Sequence, residues 1–425
     1  MKKVLIITYY WPPAGGPGVQ RWLKFVKYLP ESNIKPIVFI PENPSYPIVD
    51  KALLEEIPKE VTIIKHPIKE PYKFANILSK KKTKKISSGI IASKKQSTIE
   101  KILLWIRGNC FIPDARILWV KPSEKFLLAY IEKERIETVI TTGPPHSVHL
   151  IGKKLKEKMG IQWIADFRDP WTTIGYHKKL KLTQRARRKH KKLEKGILNA
   201  ADDIIVTSPS TKQLFETTTD KPIIVITNGY DAIHDVTLVK KDKKFTLSHI
   251  GSLLTERNPL ILWEALSELI NENKTFKNDF ILQLVGIVGK DVLDTIHRYI
   301  PKENTQLLGY VTHNEVLKLQ SASQVLLLIE IDSEETACII PGKLFEYLYA
   351  KRPIVAIGPK NWDVVSILEE TKGGKAYTYD EKRQLKEKLL ALYNAYRSGN
   401  LQVDSSELER YSRKALTKKL VSVIK

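Results

Sequence analysis

Four short stretches of the chain put cations, carboxylates and glycines at spacings that could do chemistry. The most informative runs Ile340-Pro341-Gly342-Lys343-Leu344-Phe345-Glu346 and continues to Ala350-Lys351-Arg352-Pro353. Pro341 and Gly342 shape a turn into a helix, which sets Lys343 in the first helical turn. A lysine there opposes the helix dipole unless it serves an anion held at that end. Glu346 follows one turn later on nearly the same face. A cation for phosphate and a carboxylate for ribose hydroxyls, so spaced, would make a nucleotide clamp. The same two residues also read as a solvent-facing ion pair on a surface helix.

The other three stretches are each open to two readings. In His249-Ile250-Gly251-Ser252-Leu253-Leu254-Thr255-Glu256-Arg257-Asn258-Pro259 a predicted strand ends in Gly-Ser, with an arginine shortly before a helix. Backbone amides and the Arg257 guanidinium could surround a diphosphate, although many α/β proteins carry a glycine at this place. Ala165-Asp166-Phe167-Arg168-Asp169-Pro170-Trp171 follows the largely apolar Ile161–Ile164. Asp166 and Asp169 flank Arg168 at the carboxyl end of a strand, where they could grip hydroxyls or assist proton transfer. The alternative is a salt bridge fixing a loop, with Trp171 in the core. Pro12-Pro13-Ala14-Gly15-Gly16-Pro17-Gly18 directly follows the first strand. Glycines there let backbone N–H groups approach an anion; the stretch matches neither the Gly-Lys-Ser/Thr phosphate loop nor the dinucleotide fingerprint, and reads equally as a plain tight loop.

The elements that must position these residues alternate short apolar runs with longer amphipathic segments, the pattern of strand–helix–strand units around a parallel sheet. Strands are predicted at 4–8, 36–40, 61–65, 138–142, 161–165, 203–207 and 223–226, with helical spacing over 19–29. After a polar segment the pattern restarts, with strands at 245–250, 280–286, 305–309, 325–331, 353–357 and 375–378 and helices such as 259–272 and 342–350. Residues 1–232 therefore form a first doubly wound, Rossmann-like domain, 233–244 a charged linker and 245–404 a second such domain. Residues 405–425 are expected to form a helix packing back on the first domain. Residues 79–97 read as a flexible insertion. Ligands of such sheets bind where loops meet at the strands' carboxyl ends, so the cleft between the two domains is the expected active site.

The 425 residues are enough for two cores, and 42% hydrophobic with 28% charged residues suits a globular chain. Lys and Arg number 70 against 47 Asp and Glu, a formal charge of +23 that calls for an anionic partner or surface. Cys110 and Cys338 are the two cysteines, which excludes a disulfide framework or a cysteine-based zinc site and suits a reducing cytosol. Nowhere do about 18 apolar residues run together, so no helix is expected to span a bilayer.

At the Lys343 stretch the sequence resembles glycosyltransferase family four, retaining enzymes of the GT-B fold, and the likeness runs over nearly the whole chain. A typical stretch of that family reads Gly-Arg-Leu, three residues, Lys-Gly; Gly251, Ser252, Leu253 and Arg257 fall at matching places, Ser252 for the family's Arg and Arg257 for its Lys. Glu346-Tyr347-Leu348-Tyr349-Ala350-Lys351-Arg352-Pro353 matches the second half of the family's paired-glutamate motif. Cys338 takes the place of the first glutamate, with Glu334 and Glu335 in the same loop. The Pro-Gly-Lys lead-in resembles a subgroup that makes surface polysaccharides, and Asn228-Gly229-Tyr230-Asp231 resembles the family's turn at the domain junction. Where many members have His-Asp, this chain has Arg168-Asp169.

The resemblance implies a transferase that uses a nucleotide-diphosphate sugar with no metal or other cofactor. Lys343 and Arg257 would neutralise the leaving diphosphate and Glu346 would anchor the ribose. Gly16, Gly251, Ser252, Leu308, Ile340, Pro341 and Gly342 would complete the donor site, the loop at Leu308 lying against the base. Asp166, Arg168 and Asp169 would face the reacting sugars, and Gly15 and Trp171 the acceptor. The acceptor would be a glycan or a lipid-linked sugar.

Residues 177–196 include Lys178, Lys179, Lys181, Arg185, Arg187, Arg188, Lys189, Lys191, Lys192 and Lys195 against one carboxylate, Glu194; Lys80–Lys85 adds five more cations, and Ile102-Leu103-Leu104-Trp105-Ile106 follows. Such stretches suit an anionic membrane surface, and equally a solvated helix in a lysine-rich protein. A cytoplasmic protein, peripheral at the inner face of the cell membrane, is the expectation. Nucleic acid is not expected, since the basic runs lack interleaved stacking aromatics. A sugar-nucleotide epimerase of the same fold and a relative without catalysis, suggested by Ser252 and Cys338, are the rival readings.

Overall fold

The computed structural model describes residues 1–70, 98–173, 175, 177, 180–232 and 238–425. The insertion expected at 79–97, with Lys80–Lys85, and residues 233–237 of the expected linker lie outside the described residues. The chain divides into two compact units, Met1–Asn228 with Arg413–Lys425, and Gly229–Ser412.

The first unit runs β1 (Lys2–Thr8), α1 (Pro17–Tyr28), β2 (Ile34–Glu42), β3 (Thr62–Pro67), α2 (Thr98–Cys110), α3 (Ile117–Glu134), β4 (Thr138–Gly143), α4 (Ser147–Met159), β5 (Gln162–Phe167), α5 (Gln184–Leu198), β6 (Asp203–Val206), α6 (Pro209–Glu216) and β7 (Ile223–Val225). The second runs β8 (Phe245–Ile250), α7 (Leu260–Glu272), α8 (Lys274–Asp279), β9 (Phe280–Val285), α9 (Lys290–Tyr299), β10 (Thr305–Gly309), α10 (His313–Ala322), β11 (Val325–Ile329), α11 (Lys343–Tyr349), β12 (Ile354–Ile357), α12 (Val364–Thr371), β13 (Gly374–Tyr377) and α13 (Lys382–Arg397). The closing helix α14 (Arg413–Val421) belongs to the first unit.

Both sheets are parallel. The first has the order β3-β2-β1-β4-β5-β6-β7 and the second β10-β9-β8-β11-β12-β13. Helices cover both faces of such a sheet, so its strands are apolar without alternation. In β1, Leu5 and Ile7 enter one core with Phe39, Val139 and Trp163, while Val4 and Ile6 enter the opposite one with Trp22, Val38 and Ile164. Helix α14 closes that second layer through Leu416, Leu420 and Val423, with Lys414 paired to Glu31 at 2.7 Å.

Each sheet reverses its winding once, where β1 has β2 on one side and β4 on the other, and where β8 has β9 and β11. Connections leave these strands in opposite directions, which opens a crevice at their carboxyl ends. The two crevices are lined by the loops after β1 and β4 and by the loops after β8 and β11.

A buried ion pair holds the first crevice in shape. Arg21 on α1 donates Nη2–H to Asp166 Oδ1 at 2.9 Å and Nη1–H to the Thr227 carbonyl at 2.7 Å, while Trp22 Nε1 (2.8 Å) and Thr142 Oγ1 (2.7 Å) donate to Asp166 Oδ2. Burial alone would raise the Asp166 pKa; the Arg21 charge and the three side-chain donors outweigh it and hold the carboxyl below its ordinary value. Replacing Arg21 by Met strands a carboxylate in the core, which costs about 3–5 kcal/mol. Urea unfolding at neutral pH should show that loss for Arg21→Met; a change under about 1 kcal/mol, the level of an exposed pair, would mean the pair does not organise the fold.

Candidate functional site

In the second unit the crevice brings together the two cations and the carboxylate singled out in the sequence. Gly251, just past β8, has φ +129°, and a Cβ built on it would lie 2.8 Å from Lys343 Nζ. The ammonium therefore occupies the space that a side chain at 251 would fill, so both the backbone angle and the contact require glycine. Helix α11 is fastened to the end of β8 by Tyr347, whose hydroxyl accepts the Ile250 N–H at 3.0 Å, and this aims the first turn of α11 at Gly251. Pro341 and Gly342 form the entry turn, with the Leu344 N–H on the Pro341 carbonyl at 3.0 Å and Ile340 buried beneath.

Arg257 is held bidentately by Glu330, which follows β11. Nη2 lies 2.8 and 3.1 Å from the two carboxylate oxygens and Nε 3.1 Å from Oε1. Glu330 is buried, and its Oε1 also accepts the Ile331 N–H at 2.9 Å. Lys343 is half-buried; desolvation and then the Arg257 charge lower its pKa to about 8, against the opposing pull of Glu330 and Glu346. Glu346 is half-buried and takes a hydrogen bond from Gln320 Nε2 at 3.0 Å, with His313 Nε2 at 4.0 Å. Ser252 is exposed, and Cys338 is half-buried with Sγ 3.7 Å from the Glu335 carbonyl. Leu308 is half-buried, whereas Tyr310 beyond β10 is 82% exposed. His249 is fully buried, with Nδ1 3.1 Å from the Leu327 carbonyl; burial and the nearby Lys343 charge keep it neutral.

In the first unit Gly16, with φ 109°, heads α1, and its carbonyl accepts the Val19 and Gln20 N–H groups. The Gly15 N–H reaches the Ile48 carbonyl at 3.1 Å. Asp166 lies at the floor of the crevice with both oxygens occupied. The Arg168 guanidinium donates to the Gly143 (3.2 Å) and Pro144 carbonyls of the loop after β4 and lies against the Cα of Gly18, where a Cβ would collide with Nη1. Asp169 is half-buried, has no hydrogen-bond or ion-pair partner among the described residues, and burial raises its pKa despite the adjacent Arg168. Trp171 is a correction to its acceptor-side expectation. It is fully buried, donates Nε1–H to His190 Nδ1 at 3.0 Å and stacks on His146 at 4.8 Å, so its indole has no face to offer a sugar.

Sequence reasoning missed Glu330, Gln320, Arg21 and the buried histidines. Glu330 sits among Asp332, Glu334 and Glu335, and spacing does not set it apart. Arg21 carried a signal of a kind, as a charge on the apolar-flanked stretch Val19–Trp22-Leu23. Among the described residues no three His, Cys, Asp or Glu gather as metal ligands would, and no helix is long and apolar enough to cross a membrane.

No protein-family model matches the chain, and no curated protein matches it. Solved structures do. HepE of Anabaena, crystallised with UDP, is 13% identical with a TM-score of 0.58, covering 100% of this chain and 99% of that one. Sucrose-phosphate synthase from Thermosynechococcus elongatus is 13% identical with a TM-score of 0.62 over 100% and 98%. WaaG, a glycosyltransferase involved in lipopolysaccharide biosynthesis, is 14% identical with a TM-score of 0.55 over 99% of each. These likenesses show the two-domain α/β GT-B fold.

The histidines behind the first crevice generate a prediction. His146 is buried with both ring nitrogens unpartnered, and burial holds its pKa well below 6.5; His149, bonded to Thr141 Oγ1 at 2.9 Å, has its pKa pushed by burial down to about 3. A histidine neutral in the fold but protonated when unfolded makes stability fall as pH drops below 6.5, by about 1.4 kcal/mol per pH unit until the folded pKa is reached. His146→Phe, which keeps the stack on Trp171 and removes two unsatisfied polar atoms, should leave stability at pH 7 unchanged or higher and flatten its acid slope by one proton. Denaturation midpoints between pH 7 and 5 measure both; an unchanged slope would refute the assignment.

Proposed function

We propose that this protein is a retaining, hexosyltransferase-type glycosyltransferase that moves a sugar from a nucleotide-diphosphate donor to a glycan or lipid-linked acceptor in cell-surface polysaccharide synthesis. The observation that carries the reading is the Lys343 ammonium resting on the Gly251 backbone within reach of the Arg257 charge, with Glu346 one helical turn on. Breaking the bond from the anomeric carbon to the β-phosphate oxygen leaves negative charge on that oxygen. Two positioned cations stabilise such charge most where water is scarce, without a metal. HepE, which shares the fold, was crystallised with UDP, and this supports a nucleotide-diphosphate donor here.

In this reading Glu346 accepts from the ribose hydroxyls and the exposed Tyr310 beside Leu308 offers a ring to the base. Ser252, Ile340, Pro341 and Gly342 would complete the donor site in this reading. On the acceptor side Asp169 is the carboxyl free to exchange a proton. Arg168 and Asp166 shape the loops around it, and Gly15 and Gly16 keep the glycine loop close to the sheet. The enzyme would work in the cytoplasm, its acceptor presented at the inner face of the membrane.

A thermal-shift screen of nucleotide sugars identifies the donor, because a specific ligand stabilises the fold by mass action. With that donor, Lys343→Ala and Arg257→Ala should each lower the rate of sugar transfer by about 10²–10³-fold. Unchanged transfer in both would refute the clamp, and a sugar isomerised without transfer would reassign the protein as an epimerase. Since Lys343 is charged only below its pKa of about 8, affinity for the nucleoside diphosphate should fall as pH rises through 8 in the wild type. Lys343→Arg should remove that dependence, which calorimetric titration of the diphosphate would read.

A further inference from the structure

Helix α5 presents one solvent face of a single sign. Arg185, Arg187, Arg188, Lys189, Lys191, Lys192 and Lys195 are exposed and form no ion pair among the described residues. Ala186, His190, Ile197 and Leu198 are buried on the opposite stripe. The helix's one carboxylate, Glu194, is turned inward, taking the Thr172 N–H at 3.1 Å and its hydroxyl at 2.5 Å. Nothing on the helix neutralises the outer face.

Helix α2 packs against the N-terminal end of α5. Leu104 and Ile112 pack with Leu180, Leu182 and Ala186, which fixes α2 against the start of α5. Asn109 on α2 ties the two together, accepting the Thr183 N–H at 2.8 Å while its amide donates to the Lys181 carbonyl at 3.3 Å; Thr183 in turn caps α5. One turn before Asn109 stands Trp105, 44% exposed, and a turn earlier Ile102, 53% exposed, so the two share the Asn109 side of α2. Large apolar side chains left in water on α2, and unpaired cations on the helix it packs against, are the two halves of an interfacial membrane site. The cations meet anionic headgroups, and the indole sits at headgroup depth.

We propose that the α2–α5 surface docks the protein on an anionic phospholipid bilayer. A nucleic-acid groove would interleave aromatics with its cations, and α5 has none. Docking rests on the transferase reading only for its purpose, so it can fail or stand without it.

The test is flotation of the full-length protein with vesicles of phosphatidylcholine alone or with phosphatidylglycerol added. Binding is expected to the anionic vesicles at low salt and not to the neutral ones. The combined Arg185→Glu, Arg188→Glu and Lys192→Glu variant should lower partitioning at least about 100-fold, with unchanged circular dichroism and donor-induced thermal shift. Trp105→Ala should lower it roughly tenfold and leave its salt slope intact. Equal binding to both vesicles, flotation of the folded triple variant like wild type, or displacement from vesicles by duplex DNA at equal phosphate concentration would each overturn the proposal.

Discussion

A parallel sheet whose winding reverses leaves the carboxyl ends of two neighbouring strands uncovered by any connection, and the glycines, cations and carboxylates of the two crevices are arranged around that constraint. The reversal falls between β1 and β4 in one unit and between β8 and β11 in the other. Loops leaving those strands diverge, so backbone N–H groups and loop side chains face a gap instead of a helix. The glycines the sequence concentrates at 15–18 and at 251 stand at these gaps. Each lets a long cation lie flat on the main chain: Arg168 over Gly18 and Lys343 over Gly251.

The two crevices treat charge differently. Beneath the first, Asp166 and Arg21 are fully buried and nearly saturated with partners, so neither is free to exchange a proton or meet a ligand. A pair of this kind contributes little net stability compared with apolar packing, yet neither member can be removed alone. Its consequence is positional: α1, β4, β5 and the Thr227 carbonyl are tied to one point, and the loops above inherit their places. In the second crevice compensation is incomplete. Arg257 has a carboxylate to itself, whereas Lys343 has Glu330 and Glu346 only at a distance and loses proton affinity to burial.

The strands were legible because strands covered on both faces must be apolar throughout, and runs such as Val325–Ile329 and Ile354–Ile357 have few other uses. The switch-point loops were legible because glycine and proline mark them. Long-range partners were not. Arg21 reads as a polar position on an amphipathic helix until the fold brings Asp166, 145 residues away, to it. Glu330 reads as the first of several acidic residues after a strand until Arg257 folds back from the neighbouring loop. Trp171 shows the converse: its motif looked like a site, but the indole is held by His146 and His190 in the core. The salt-bridge alternative for the Asp166–Asp169 stretch was half right, since Asp166 does pair, but with Arg21 and not with its neighbour Arg168.

The choice of arginine at 257 acquires a physical sense from this geometry. A lysine at 257 would offer one point charge to Glu330 and could swing away, whereas the planar guanidinium is locked by two nitrogens on one carboxylate. One cation of the crevice is thereby fixed in direction before any ligand arrives, and the ordering cost is already met in the fold. The second, Lys343, is the adjustable one. Its ammonium rests on the glycine backbone with its charge weakly supported, so on the proposed reading an entering dianion would meet a cation whose proton it helps to hold. Ligand charge and lysine proton then stabilise each other, and the coupling is strongest where burial has already brought the lysine close to neutral.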